Sequence, residues 1–162
     1  MPRVIRRFAE VTPAPWRNGR GQTWGLCEDS GDAWRLSVAQ LTAPAVFSSF
    51  PGIRRTLVPW GGDIRLEIDG RVGDTRHGDA VRFSGEADTR LIALDQPCHA
   101  VNLLASGREP TLLTVAAGTR FDDETIVLVT ETTERAARFD VIQLAPDEPL
   151  PSAGVAVRFD GE

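Results

Sequence analysis

Lysine is absent from this 162-residue chain, and all 18 basic residues are arginine. That removes Schiff-base catalysis, lysine acetylation and a phosphate-loop lysine together. Cysteine occurs only at Cys27 and Cys98, too few for a disulfide-built scaffold, so two free thiols in a reducing cytoplasm are expected. Histidine occurs only at His77 and His99. One chain therefore cannot supply a three-histidine metal site, and no close pair has zinc or iron spacing. No metal and no cofactor are expected. No apolar run approaches the ~18 residues of a spanning helix. The basic segment Met1-Pro2-Arg3-Val4-Ile5-Arg6-Arg7 has no apolar core behind it to read as a secretory signal. Asp and Glu number 23 against 18 arginines, giving a formal net charge of -5. That balance argues against a non-specific nucleic-acid binder, which needs positive charge to displace counterions. The expectation is a cytoplasmic protein with neither nucleic acid nor membrane as partner.

What is present is an ordinary globular mixture, 41% apolar and 25% charged. The length suits one compact domain over 1–162, large enough to bury a core without a staple. A mild change near Ser106-Gly107-Arg108-Glu109-Pro110 divides it into a main barrel over about 1–106 and a shorter β half over about 107–162.

Strand periodicity dominates. Trp34, Leu36 and Val38 alternate with Arg35, Ser37 and Ala39, and Ile64-Arg65-Leu66-Glu67-Ile68 alternates as cleanly. The latter runs into Asp69-Gly70, a two-residue hairpin signal, because both residues tolerate positive φ. Further strands are expected at 56–60, 80–83, 89–94, 100–104, 112–115, 125–130, 139–144 and 155–159. Helix signals are weak, the best being a turn or two over 132–137. Many short strands without helices between them predict an antiparallel sandwich or barrel.

Several segments carry polar groups in unusual settings. Trp16-Arg17-Asn18-Gly19-Arg20-Gly21-Gln22-Thr23 is glycine-rich and polar behind a large aromatic. It reads either as a strand-to-strand turn with a core tryptophan or as a ligand loop offering Asn18 and Thr23. Phe50-Pro51-Gly52 reads as a type II-like turn with glycine supplying positive φ. Arg54 and Arg55 follow it and face opposite sides if extended. An inward arginine in a small barrel needs an anion, because an unpaired buried charge is costly and the planar guanidinium fits a carboxylate. Two solvated arginines are the plain alternative. Arg35 and Ser37 form a polar row that faces solvent in a sandwich but lines the cavity of a ligand-holding barrel. Gly78-Asp79 feeding a strand is a pattern common in cupin barrels. Asn102 interrupts an apolar run, and a buried amide needs partners for both its oxygen and its nitrogen. Acid–base pairs are poor: His77 and Asp79 flank a glycine, and Cys98 and His99 face opposite sides of a strand.

Taken in order, the motifs Trp16-Arg17-Asn18-Gly19 with Gly21 and Thr23, Trp34-Arg35-Leu36-Ser37 with Ala39, Phe47-Ser48 with Phe50, Gly52 and Arg55, Phe83-Ser84-Gly85-Glu86, and Asn102-Leu103 resemble the HutD/Ves family of cupin-like proteins. The resemblance covers roughly 15–104. It implies an RmlC-like jelly-roll β-barrel of cupin type, bicupin-like with a short second half and without a metal. It also implies a regulator or sensor in bacterial histidine or other amino-acid catabolism, whose ligand is a small anionic metabolite such as urocanate or N-formylglutamate. The family's pocket arginine maps onto Arg55. Asn18, Thr23, Ser37, Phe47 and Phe83 carry over as cavity polar groups or walls. Two departures stand beside this. Arg20 replaces a usual glycine, expected to add charge next to the pocket, and Trp24 replaces an acidic residue. The alternatives are a metal-free isomerase or lyase on the same barrel, and an interaction module without a ligand whose sheet edges pair two copies into a homodimer.

Overall fold

The computed structural model describes residues 1–17, 19–31 and 33–160. Two compact units emerge: Pro13–Thr111 with Phe159 and Asp160, and Met1–Thr12 with Leu112–Arg158. Apart from one 3-10 turn at Phe8–Glu10, the regular structure is all strand.

The larger unit holds two antiparallel sheets. The six-stranded sheet uses β2 (Ala14–Pro15), β3 (Gln22–Glu28), β4 (Trp34–Leu41), β6 (Arg54–Trp60), β9 (Val81–Ser84) and β11 (Cys98–Ala105), in the order β2-β3-β4-β11-β6-β9. The four-stranded sheet uses β5 (Ala45–Val46), β7 (Ile64–Ile68), β8 (Arg71–Thr75) and β10 (Thr89–Leu94), in the order β5-β10-β7-β8. They share one core: Ala39, Leu57, Phe83 and Ala100 from the first pack with Ile64, Leu66 and Leu91 from the second. The residues between these on the six-stranded sheet, Leu36, Val38, Val58, Val101 and Leu103, are buried as well. Both faces of its central strands are thus covered, which is why β11 reads as a nearly continuous apolar run. The β7–β8 connection is the expected hairpin, with φ of 49° at Asp69 and 82° at Gly70.

The smaller unit is built on a five-stranded sheet in the order β1-β14-β13-β15-β12, from β1 (Arg3–Arg6), β12 (Glu109–Val115), β13 (Thr125–Val129), β14 (Val141–Leu144) and β15 (Gly154–Asp160). Val127, Val129, Ile142, Leu144, Leu150 and Ala156 form its core. The first twelve residues, expected in the main barrel, belong here instead, because β1 pairs with β14. Asp140, 1% exposed, fixes the entry by accepting from the Phe8 and Ala137 amides at 2.8 and 2.9 Å and from Arg7 Nη1 at 3.1 Å.

The helix expected over 132–137 does not form. The Thr133 hydroxyl accepts from the Ala136 amide at 3.3 Å and the Thr132 hydroxyl accepts from the Arg138 amide at 3.1 Å. Short hydroxyl side chains satisfy backbone donors locally and so compete with a helix.

Candidate functional site

Arg54 and Arg55 open β6 and part to opposite faces, as strand alternation requires. Arg54 is exposed and pairs with Glu109 at 3.0 Å. Arg55 turns onto the core face and is 7% exposed. Its Nη1 donates to the Ser48 carbonyl at 3.3 Å, while Nε is buried with no acceptor. No carboxylate among the described residues pairs with it.

Three phenyl rings enclose the guanidinium. Its central carbon lies 5.1 Å from the Phe83 ring centroid and 5.4 Å from those of Phe47 and Phe50. Such contacts stabilise a cation by about 0.5–2 kcal/mol each. The effective cost of removing an ion from water is several kcal/mol. Desolvation wins here: burial pushes the Arg55 guanidinium down to about 10 from its ordinary value.

Each ring is held by backbone. Phe83 lies directly opposite Arg55 in the β6–β9 ladder. Phe47 is fixed by its amide donating to the Thr89 carbonyl at 2.9 Å. Phe50 sits in the turn expected at Phe50-Pro51-Gly52. The Ile53 amide donates back to the Phe50 carbonyl at 3.2 Å, and Gly52 takes φ 74°. Gly85 locks this turn: its carbonyl accepts from Phe50 N at 2.7 Å and its amide donates to Ile53 O at 2.6 Å. A Cβ at Gly85 would come within 2.5 Å of the Phe50 carbonyl oxygen. Glu86 completes the lock by accepting from the Gly52 amide at 2.9 Å. Two motifs more than thirty residues apart in sequence, Phe47-Ser48-x-Phe50-x-Gly52 and Phe83-Ser84-Gly85-Glu86, thus meet around one charge.

The register across β4, β11, β6 and β9 places the remaining polar groups. Arg35, Leu104, Arg55 and Phe83 form one row. The next row on the same face runs Ser37, Asn102, Leu57. Asn102 is 6% exposed; its Nδ2 donates weakly to Ala100 O at 3.4 Å, and its Oδ1 is buried without a donor. Ser37 therefore faces the interior shared by the two sheets, whereas Arg35, on the same face, is exposed. Ser37 lies beside Asn102 and is half-buried.

Not every expected group joins them. Thr23 shares the face but lies on β3, three strands from β6, where its hydroxyl accepts from Trp16 Nε1 at 2.9 Å. The Trp16 loop is thus an anchored turn whose tryptophan packs on the core. Asn18 falls outside the described residues. Arg20 Nη1 donates to Pro44 O at 3.1 Å, at an open groove of about 580 Å³ lined also by Val46 and Arg90. Trp24 faces the opposite side of the sheet from Thr23, with its ring 6.2 Å from that of His99, and does not fill the interior. His77 is exposed against Trp60, its Nδ1 accepting from the Gly61 amide at 2.8 Å, and among the described residues no contact joins it to Asp79. Phe50 and Asn102 join the site although the resemblance, whose motifs include both, gives neither a pocket role. Two sequence signals mark Asn102, a lone amide in an apolar run and the Asn102-Leu103 motif.

Two facing antiparallel sheets enclosing a polar row make this a cupin-like β-barrel protein. The Thermotoga maritima predicted oxalate decarboxylase shares the fold over 63% of this chain and 98% of its own, at 15% identity and a TM-score of 0.52. The chain belongs to the HutD family, whose model matches residues 8–145. HutD from Pseudomonas fluorescens SBW25, solved in a formate condition, is 23% identical over 95% of this chain and 96% of that one, with a TM-score of 0.79. A conserved protein of unknown function from Pseudomonas aeruginosa PAO1 is 22% identical over 96% of this chain and 97% of that one, with a TM-score of 0.80. An uncharacterized 21.2 kDa protein of the hutC 3′ region of Pseudomonas putida is 35% identical over 107 residues, 62% of this chain. That match spans 56% of the length of the relative. No helix among the described residues is long and apolar enough to cross a membrane.

Proposed function

We propose that this protein binds a small carboxylate metabolite at Arg55, without a metal, and serves as a sensor or regulator in histidine catabolism. The observation that carries the reading is a guanidinium 7% exposed, ringed by three phenyl groups and lacking a counter-anion. A buried charge of this kind is incomplete by itself, and a carboxylate supplies two acceptor oxygens in the plane of its fork. The apolar rings exclude water and strengthen that pairing. Buried acids or histidines that would serve as proton donor and acceptor beside Arg55 are missing among the described residues, so the geometry favours binding over turnover. The pathway assignment rests on the family and on the hutC-region relative. Urocanate and N-formylglutamate are the ligands to test first. Calorimetry should give saturable binding of at least one of them to the wild type and none to Arg55→Ala. Equal binding by both proteins removes Arg55 from the role.

A further inference from the structure

Two buried polar atoms on one face of the larger unit lack partners, and they are opposite in kind. Arg55 Nε is a donor and Asn102 Oδ1 is an acceptor. They come from adjacent strands. Asn102 pairs with Leu57, and Arg55 lies two residues back along β6, so the two are diagonal neighbours on the same face. Diagonal neighbours stand roughly 7–8 Å apart between Cα atoms, within reach of one small molecule. The orientation of the amide is set by its own backbone: Nδ2 points to the Ala100 carbonyl, which leaves Oδ1 as the free end. Ser37, directly across from Asn102, is half-buried and adds a hydroxyl to the same row.

Native proteins satisfy nearly all buried polar atoms. An interior meant only for a carboxylate has no use for a second, acceptor-only position. We infer that the ligand carries a hydrogen-bond donor, an O–H or N–H, which Asn102 Oδ1 accepts while Arg55 holds its carboxylate. The ligand class is then a hydroxy- or amido-acid, as distinct from a plain alkyl acid. This rests on the carboxylate reading of Arg55 and adds a residue and a chemical group to it. A site that hydrogen-bonds its ligand rejects an analogue lacking that group more strongly than an apolar pocket rejects a missing methylene, because its own polar atom is then left unpaired.

The test uses the full chain and three probes: propanoate, 2-hydroxypropanoate and 3-hydroxypropanoate. Affinities are measured by calorimetry for the wild type, Arg55→Gln and Asn102→Leu. The wild type should bind the better hydroxy acid at least about tenfold more tightly than propanoate, the scale of one hydrogen bond. Asn102→Leu should reduce that preference to about twofold or less. Arg55→Gln should weaken all three acids. If propanoate binds through Arg55 but the wild type shows no preference, the role of Asn102 is overturned and the carboxylate reading stands. If Asn102→Leu keeps the preference, the role is likewise overturned. If no acid binds the wild type, or Arg55→Gln binds all three as well, both readings fall. The wild-type comparison needs no variant, so the inference can be refuted even where Asn102→Leu folds poorly.

Discussion

Arg55 and Phe83 stand directly opposite each other on β6 and β9, with the guanidinium carbon 5.1 Å from the phenyl centroid. An apolar ring facing an unpaired cation is an arrangement that favours recognition at the expense of stability. Replacing Arg55 by methionine, of similar length and uncharged, is predicted to stabilise the empty protein by about 1–3 kcal/mol, in the manner of other buried charges exchanged for apolar groups. Thermal unfolding of both forms, alongside loss of carboxylate binding, checks this. A lower melting temperature for Arg55→Met would contradict it.

The same charge gives stability a defined pH dependence. Burial lowers the Arg55 guanidinium to about 10 in the folded protein, below its ordinary value in the unfolded chain, so between these the unfolded chain binds more protons. Stability attributable to this group therefore rises with pH across that window, and its penalty is fully present below pH 10. The advantage of Arg55→Met over wild type should accordingly narrow above pH 10. Denaturant midpoints at about pH 8, 9.5 and 11, which bracket the folded value, would measure it. The chain has no lysine and no tyrosine to obscure this range.

Cys98 acts in the opposite direction. Burial, with Asp95 and Asp63 nearby, pushes its thiol up to about 11. The unfolded thiol loses its proton first, so this residue withdraws stability as pH rises between 9 and 11. The thiolate is the reactive form. Native protein at about pH 8 should thus leave Cys98 unlabelled by a disulfide reagent long after denatured protein has reacted, as peptide mapping would show. Comparable rates would refute the burial argument.

Gly85→Ala should weaken both fold and binding. The added methyl meets the backbone oxygens of Phe50 and Ile53 at 2.5 and 2.8 Å, and neither can yield as a side chain does. A loss of about 1–3 kcal/mol is expected from overpacking, with weaker carboxylate affinity because Phe50 is displaced from Arg55. A variant with unchanged melting temperature and affinity would show that the turn is more pliant than it looks.

Trp16 and Thr23 are joined by one hydrogen bond of 2.9 Å. A double-mutant cycle with Trp16→Phe and Thr23→Val should return a coupling of about 0.5–1.5 kcal/mol. Zero coupling would mean that the loop is held by ring packing alone.

Much of the barrel is legible in the sequence because its strands alternate. The 64–68 and 89–94 segments coincide with β7 and β10, and Asp69-Gly70 announces the hairpin that follows β7. The opposed facing of Arg54 and Arg55 follows from period two alone. β8 is not visible in this way: its sequence Arg-Val-Gly-Asp-Thr is polar and mostly exposed, and only the ladder with β7 makes it a strand. β3 is hidden by Gly25 and by the bulge between Gly25 and Cys27, which shifts the alternation midway. β1 needs a partner some 140 residues distant. Within the site, motifs point to the charge and to two of its rings. Phe50 reads in sequence as part of a turn and of a family motif, neither of which gives it a pocket role. Asn102 requires the ladder, since only pairing with Ser37 and Leu57 brings its amide to the face that Arg55 occupies.

Carboxylate binding at Arg55, as proposed, would also tie occupancy to survival. Any anion that binds only the folded chain raises the unfolding free energy by RT ln(1 + [L]/Kd), so a filled copy opens less often than an empty one. With arginine as the sole basic residue, a trypsin-type protease has 18 places to cut an opened chain and none that depends on lysine. On that proposal, the lifetime of the molecule under such digestion would gauge how much of its guest is around.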